Sequence, residues 1–229
     1  MKCIGILGGM SATSSQLYYQ ILCDLTRARC GGLTSPDLVL RSLNFAPLQQ
    51  LMAAGDWESI GACLNGEAKR LEEAGADFLV LATNTLHKVA AAMMNGVNIP
   101  LLDVIDVTAQ ALTQANLSKP LLLGTRFTME ESFYRARLGT QNVLATVPEA
   151  ENRALIDQII FGELCQNTVR QASAAYCQNV VNDMADAGAD SVILGCTELG
   201  LVITDATSKI PVFDTTRLHC EAALDLALS

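Results

Sequence analysis

Apolar positions alternate along the chain between two kinds of pattern. Residues 2–7 are mostly apolar with little alternation, which predicts a strand buried on both faces, as in a parallel sheet. Gly8-Gly9-Met10-Ser11 predicts a turn. Thr13 to Arg29 then has helical spacing, with Leu17, Ile21 and Leu25 on one face. Val39 to Phe45 predicts a second strand. Trp57 to Ala74 predicts a helix whose apolar stripe is Ile60, Leu64, Ala68 and Leu71, closed by Gly75. Phe78 to Ala82 and Leu101 to Val104 predict the third and fourth strands. A second series follows: a strand at Leu121–Leu123, a helix at Thr128–Leu138 opening on a threonine cap, a short strand at Leu144–Val147, and helices over Glu151–Leu164 and Val169–Ala187. Strands at Ser191–Gly195 and Val212–Asp214 and a closing helix at Leu218–Leu228 complete it. Strands alternating with helices across short turns predict βα units, hence an α/β protein with mostly parallel sheets flanked by helices.

Composition narrows the function classes. Half of the 229 residues are hydrophobic and 17% are charged, so the chain can bury a sizeable core. The net charge of -9 argues against nucleic acid and against an anionic membrane surface, both of which need clustered Lys and Arg. Neither a signal peptide nor an apolar run long enough to span a membrane is expected, and the chain reads as cytoplasmic. The eight cysteines are scattered without metal-ligand spacing, and His87 and His219 are the two histidines, so no metal site is expected. Gly8-Gly9 lacks the rest of a dinucleotide fingerprint, which argues against NAD.

An internal repeat gives the strongest pointer. Ala74-Gly75-Ala76-Asp77 matches Ala187-Gly188-Ala189-Asp190, and Phe78-Leu79-Val80-Leu81 falls on Ser191-Val192-Ile193-Leu194. Thr83 then aligns with Cys196, and Asn84-Thr85 with Thr197-Glu198. Downstream, Ile99-Pro100-Leu101-Leu102-Asp103 matches Ile210-Pro211-Val212-Phe213-Asp214. The repeat predicts two pseudo-symmetric α/β domains, residues 1–103 plus 212–229 and residues 104–211. Ligands of such sheets bind at the carboxyl ends of the strands. If the halves face each other, Thr83 and Cys196 flank one cleft from opposite sides, the arrangement that inversion at a carbon needs.

These motifs, Gly8-Gly9-Met10-Ser11, Asn84-Thr85, Gly124-Thr125-Arg126-Phe127-Thr128-Met129 and Gly195-Cys196-Thr197-Glu198, occur in an order that resembles the aspartate/glutamate racemases that work without pyridoxal phosphate. The resemblance covers essentially the whole chain. It implies an active site between two domains, no cofactor, an acidic amino acid as substrate and a homodimer. It also implies a cysteine from each half, and here the first of these is Thr83, as in members selective for L-aspartate and L-glutamate. By the same resemblance Met10, Ser11, Asn84, Thr85, Thr125, Thr128, Thr197 and Glu198 bind the substrate. Met52 joins them from a stretch, Phe45 to Ala54, that offers Gln49 and Gln50 but no arginine. Cys165-Gln166-Asn167 likewise offers no lysine.

The implied chemistry assigns Cys196 as thiolate base toward the α-proton of the L-enantiomer, at a strand end where backbone donors are expected to lower its pKa. Thr83 cannot match it. A hydroxyl of pKa ~15.7 is roughly 7 units above a thiol, or about 10 kcal/mol harder to ionise. As the second catalytic residue, its expected roles are hydrogen bonding, holding a water, or slowly protonating a very basic carbanion. Backbone N–H groups of the Gly8–Ser11 turn are expected to bind a carboxylate. Two other readings compete: an enzyme like the single-cysteine arylmalonate decarboxylases, and a non-catalytic protein that binds a dicarboxylic amino acid.

Overall fold

A computed structural model describes residues 1–229. The chain forms two compact units, Met1–Val104 with His219–Ser229, and Ile105–Leu218. No helix is long and apolar enough to cross a membrane.

The first unit holds a parallel four-stranded sheet of β1 (Ile4–Gly8), β2 (Leu38–Ser42), β3 (Phe78–Leu81) and β4 (Leu101–Leu102), in the order β2-β1-β3-β4. Helices α1 (Ala12–Cys30), α2 (Phe45–Ala54), α3 (Trp57–Glu73) and α4 (Ala90–Met93) connect the strands. Strand β1 is buried throughout, which is why its sequence does not alternate. The predicted stripe of α3 is the face it buries, and Asp56 caps its start by accepting the Ser59 N–H at 3.0 Å. The core joins Ile4, Ile6, Tyr18, Leu22, Phe78 and Val80 to Cys220, Ala223 and Leu224 from the closing helix. Each large aliphatic side chain taken from water there contributes ~1.5–3 kcal/mol.

The second unit holds a parallel three-stranded sheet in the order β5 (Pro120–Gly124), β6 (Ser191–Gly195), β7 (Val212–Asp214). Around it lie α5 (Val104–Gln114), α6 (Arg126–Glu130), α7 (Ser132–Gly139), α8 (Ala150–Gly162) and α9 (Gln171–Asp186), with α10 (Thr215–Leu228) leading back to the first unit. Its core includes Leu121, Leu123, Ile156, Ile160, Val181, Val192 and Leu194.

The repeated residues have structural work in both units. Gly75 and Gly188 end their helices at φ +92° and +104°, a region open to glycine. Asp77 accepts the Cys3 N–H, and Asp190 accepts those of Ser118 and Lys119, so each aspartate pins the start of the neighbouring strand. Pro100 O accepts from Leu79 N–H at 2.8 Å, and Pro211 O from Val192 N–H at 2.9 Å. The order β1-β3-β4 thus recurs as β5-β6-β7.

Several sequence expectations are corrected. The second unit extends to Leu218 rather than 211, because β7 is hydrogen-bonded to β6 and only the last helix returns. The strand expected at Leu144–Val147 is reduced to one bridge between Thr146 and Leu121. The helix expected at Thr128–Leu138 is two helices broken at the extended Glu131, and its cap is Thr125. The strand expected to reach Phe45 stops at Ser42, because Asn44 caps α2 by accepting the Ala46 N–H. Helices α2, α4 and α5 were not predicted; α2 and α4 are short and Ala-rich, whereas α5 buries a regular face of Val104, Ile105, Thr108, Ala109 and Leu112.

Candidate active site

In the first unit the turn after β1 lies against the segment after β2. Gly9 has φ +88°, and a Cβ there would stand 2.2 Å from Leu43 N, so the close approach requires glycine. The Met10–Ser11 peptide is cis. Met10 is buried, and Ser11 caps α1 by accepting the Ser14 N–H at 3.1 Å. The Gly9 N–H, expected to face an anion, instead donates to Ser15 Oγ at 2.6 Å. Ser15 was not singled out from sequence; its signal would have been its place in the first turn of the helix.

Thr83 follows β3 and is half-buried. Its N–H donates to Leu81 O at 2.8 Å, and its carbonyl lies 2.7 Å from His87 Nδ1. His87 Nε2 is 3.4 Å from the Val104 amide nitrogen, so Nε2 accepts and Nδ1 carries the proton that goes to Thr83 O. Asp103 Oδ1 stands 4.0 Å from Nε2. His87 therefore ties the carbonyl of Thr83 to the end of β4. Asn84 and Thr85 are buried in the turn that carries this histidine. Met52 is buried on α2. Below lies His219, entirely buried, with Nδ1 3.0 Å from Tyr18 Oη and Nε2 2.8 Å from Leu102 O. Burial, and then the proximity of His87, hold its pKa down to about 3, so it is neutral.

In the second unit Gly124 and Gly195 are register partners at the ends of β5 and β6, so Thr125 and Cys196 leave the sheet side by side. A Cβ on Gly195 would lie 2.8 Å from Leu123 O and 3.1 Å from Thr128 Cγ2. The bare backbone lets Thr128 pack over the rung. Thr128 is 0% exposed, and its hydroxyl lies 3.2 Å from that of Thr125, which also caps α6. Thr197 is half-buried at the start of the turn after β6.

Cys196 is 9% exposed, and its Sγ–H donates to Glu198 Oε2 at 3.1 Å. Its pKa is raised well above the ordinary thiol value, first by burial and then by the Glu198 charge. This reverses the sequence expectation of a lowered pKa. The carboxylate that follows the cysteine outweighs the one backbone donor, from Glu198, that lowers it. Cys165 also hydrogen-bonds Glu198, and burial with that charge pushes its thiol up to about 12. Sequence reading passed over Cys165 except as the absence of a lysine; no spacing marked it. The repeat places Gly200 where the first unit has His87. A Cβ there would stand 3.6 Å from Asp214 Oδ2, so the His–Asp pairing of one unit is reduced in the other to an aspartate that caps α10. No group of three or more His, Cys, Asp or Glu side chains is arranged to hold a metal ion.

A protonated thiol beside a carboxylate, at the end of a strand and among threonine hydroxyls, can exchange a proton with a carbon acid. Comparison with known proteins identifies relatives along the whole chain. Over 229 residues, 99% of this chain and 98% of the relative, the sequence is 24% identical to the broad specificity amino-acid racemase RacX of Bacillus subtilis. A candidate Asp/Glu racemase from Yersinia pestis is 38% identical, with a TM-score of 0.93 and 100% of each chain covered. An aspartate racemase homologue from Pyrococcus horikoshii OT3 is 32% identical, with a TM-score of 0.88 and 100% of each chain covered. Residues 7–223 match the family described as Asp/Glu/Hydantoin racemase. The chain belongs to that family and is an isomerase of the amino-acid racemase class.

Proposed function

We propose that the chain racemises aspartate or glutamate without a cofactor, with Cys196 as the catalytic residue on the L-face. The observation that carries this reading is the hydrogen bond from Cys196 to Glu198. At rest the proton is on sulfur, because burial and the neighbouring carboxylate disfavour the thiolate. Glu198 is placed to take that proton as Sγ approaches the substrate. The thiolate then removes the α-proton, and the electron pair of the C–H bond passes into the carboxylate as an enediolate. Neutral donors, Thr125 and Thr197 in one unit and Asn84 and Thr85 in the other, are the groups we assign to the substrate carboxylates and ammonium. Met10, Ser11, Met52 and Thr128 belong to the same reading. The burial of Met52 and Thr128 makes them walls rather than polar contacts.

Reprotonation has two routes. Return of a proton from Cys196 regenerates the L-form and leaves exchange without inversion. Delivery from the Thr83 side inverts the centre. We assign that delivery to a water held by Thr83; the hydroxide left behind takes a proton from solvent, and Glu198 returns its stored proton to solvent. The reading includes a homodimer, by family resemblance. Incubation with each enantiomer of aspartate and glutamate, followed by chiral chromatography, tests it. Slow formation of the opposite enantiomer from the L-forms supports the reading. Saturable binding with no conversion would place the chain among non-catalytic binders of dicarboxylic amino acids, and activity confined to aryl malonates would move it to decarboxylation.

A further inference from the structure

Both imidazoles of the first unit are fixed at both ring nitrogens. A carbonyl only accepts, so His219 Nε2–H donates to Leu102 O at 2.8 Å, and its Nδ1 accepts from Tyr18 Oη–H at 3.0 Å. His87 carries the opposite tautomer. Its Nδ1–H donates to Thr83 O at 2.7 Å, and Nε2 accepts the Val104 N–H at 3.4 Å. The ring centres lie 6.4 Å apart, and the His87 side chain is fully buried. A line of contacts thus runs from Tyr18 on α1, through the end of β4, to the carbonyl of Thr83.

Thr83 lies between the end of β3 at Leu81 and the tight turn Thr85–Val89. Its backbone is oriented on one side by its N–H, which donates to Leu81 O at 2.8 Å, and on the other by His87. Threonine branches at Cβ, so a fixed backbone leaves its hydroxyl few directions. The turn itself does not need the imidazole. The repeat puts Gly200 at the position of His87, and the chain after β6 still forms a tight turn, Thr197–Leu201. In that half the reactive side chain is held directly, because Glu198 accepts from Cys196 Sγ–H. In the first half Thr85 stands at the position of Glu198, and the histidine holds the backbone of Thr83 instead. We propose that His87 is a positioning residue for inversion. By holding the Thr83 carbonyl it fixes the direction of the Thr83 hydroxyl, and with it the water that delivers the proton. It acts through Thr83 and transfers no proton itself. The inference rests on the racemase reading above.

The test compares His87→Gln and His87→Asn with the unaltered protein, measuring inversion and α-hydrogen exchange of L-aspartate side by side. The amide of Gln reaches the place of Nε2 and leaves Thr83 O unheld, whereas that of Asn puts a donor at the place of Nδ1. His87→Gln is expected to lower the ratio of inversion to exchange by about tenfold, the cost of a misplaced group. His87→Asn is expected to recover most of that ratio. A merely structural role lowers both rates together, since loss of folded protein cancels in the ratio. An unmoved ratio in His87→Gln, or an equal fall in both variants, overturns the assignment while leaving the racemase reading intact. A measurement on the unaltered protein does not depend on the variants folding. NMR of isotope-labelled histidine at pH 7 is expected to show one Nδ1–H and one Nε2–H tautomer, the latter missing in His219→Gln. An Nε2–H tautomer at His87 also overturns the assignment. No inversion and no exchange by the unaltered protein on any amino acid overturns both it and the racemase reading.

Discussion

The Sγ of Cys196 donates to Oε2 of Glu198 at 3.1 Å, so the nucleophilic atom of the second unit rests as a thiol beside the group that can take its proton. Two opposite consequences follow from removing that group. In Glu198→Gln the charge that raises the thiol pKa is gone, so alkylation of Cys196 by iodoacetamide at pH 8 is expected to speed up several-fold. Racemisation is expected to slow by about 10²-fold, the lower range for loss of a positioned acid–base group. Mass spectrometry of the alkylated Cys196 peptide and a chiral assay read the two. Both rates moving in the same direction would remove Glu198 as the proton acceptor.

On the proposed reading Thr83 sets the asymmetry of the reaction. Its hydroxyl is roughly 7 units less acidic than a thiol, so α-hydrogen exchange on the L-substrate is expected to outpace inversion. Thr83→Cys is expected to bring the two rates together by adding a second competent group, and Thr83→Val to abolish inversion while exchange on the L-side persists. Parallel measurement of deuterium uptake and enantiomer ratio checks this. Equal rates of exchange and inversion in the unaltered protein would contradict it.

His219 predicts a pH dependence of stability. Its folded-state pKa is held down to about 3, whereas the unfolded chain titrates near ~6.5, so between those values the unfolded state binds the extra proton. Stability is therefore expected to be intact above about pH 6.5 and to fall as pH drops toward 3, by at most ~1.4 kcal/mol per unit from this one group. Urea denaturation of the unaltered protein and of His219→Gln measures it. The variant is expected to be less stable at pH 7, having lost the bonds to Tyr18 and Leu102, but to show a shallower pH slope.

Gly195→Ala tests the close packing under the site. The added Cβ would lie 2.8 Å from Leu123 O and 3.1 Å from Thr128 Cγ2, so β5 and β6 must part or Thr128 must move. A loss of ~1–3 kcal/mol in chemical denaturation is expected, with a loss of activity because Cys196 is the next residue. Unchanged stability would mean that the rung is not tightly packed.

The parallel strands were legible because burial on both faces leaves unbroken apolar runs, as in β1, β5 and β6. The repeat was legible because its residues do local work, Gly75 and Gly188 in ending helices and Asp77 and Asp190 in pinning strands. Helix α2 was not, since it is short and interrupted by glutamines. Nor was α5, whose regular stripe, Val104, Ile105, Thr108, Ala109 and Leu112, runs on directly from the apolar residues of β4, so that its start reads as part of that strand. The electrostatics of Cys196 were misread. Sequence shows Glu198 two residues on, but not that its carboxylate turns back onto the sulfur in a buried place. Cys165 was hidden for a similar reason, because its neighbour on the site is set by packing and not by spacing. The domain boundary was misplaced because Val212–Asp214 reads as a strand without saying which sheet it joins.

The most direct measurement of the central claim is α-hydrogen exchange in deuterated water. L-aspartate and L-glutamate are followed by proton NMR with the unaltered protein and with Cys196→Ala. Loss of the α-proton signal that disappears in the variant is the predicted result. Exchange that persists in Cys196→Ala, or no exchange with either amino acid by the unaltered protein, would contradict Cys196 as the acid–base residue of an acidic amino-acid racemase.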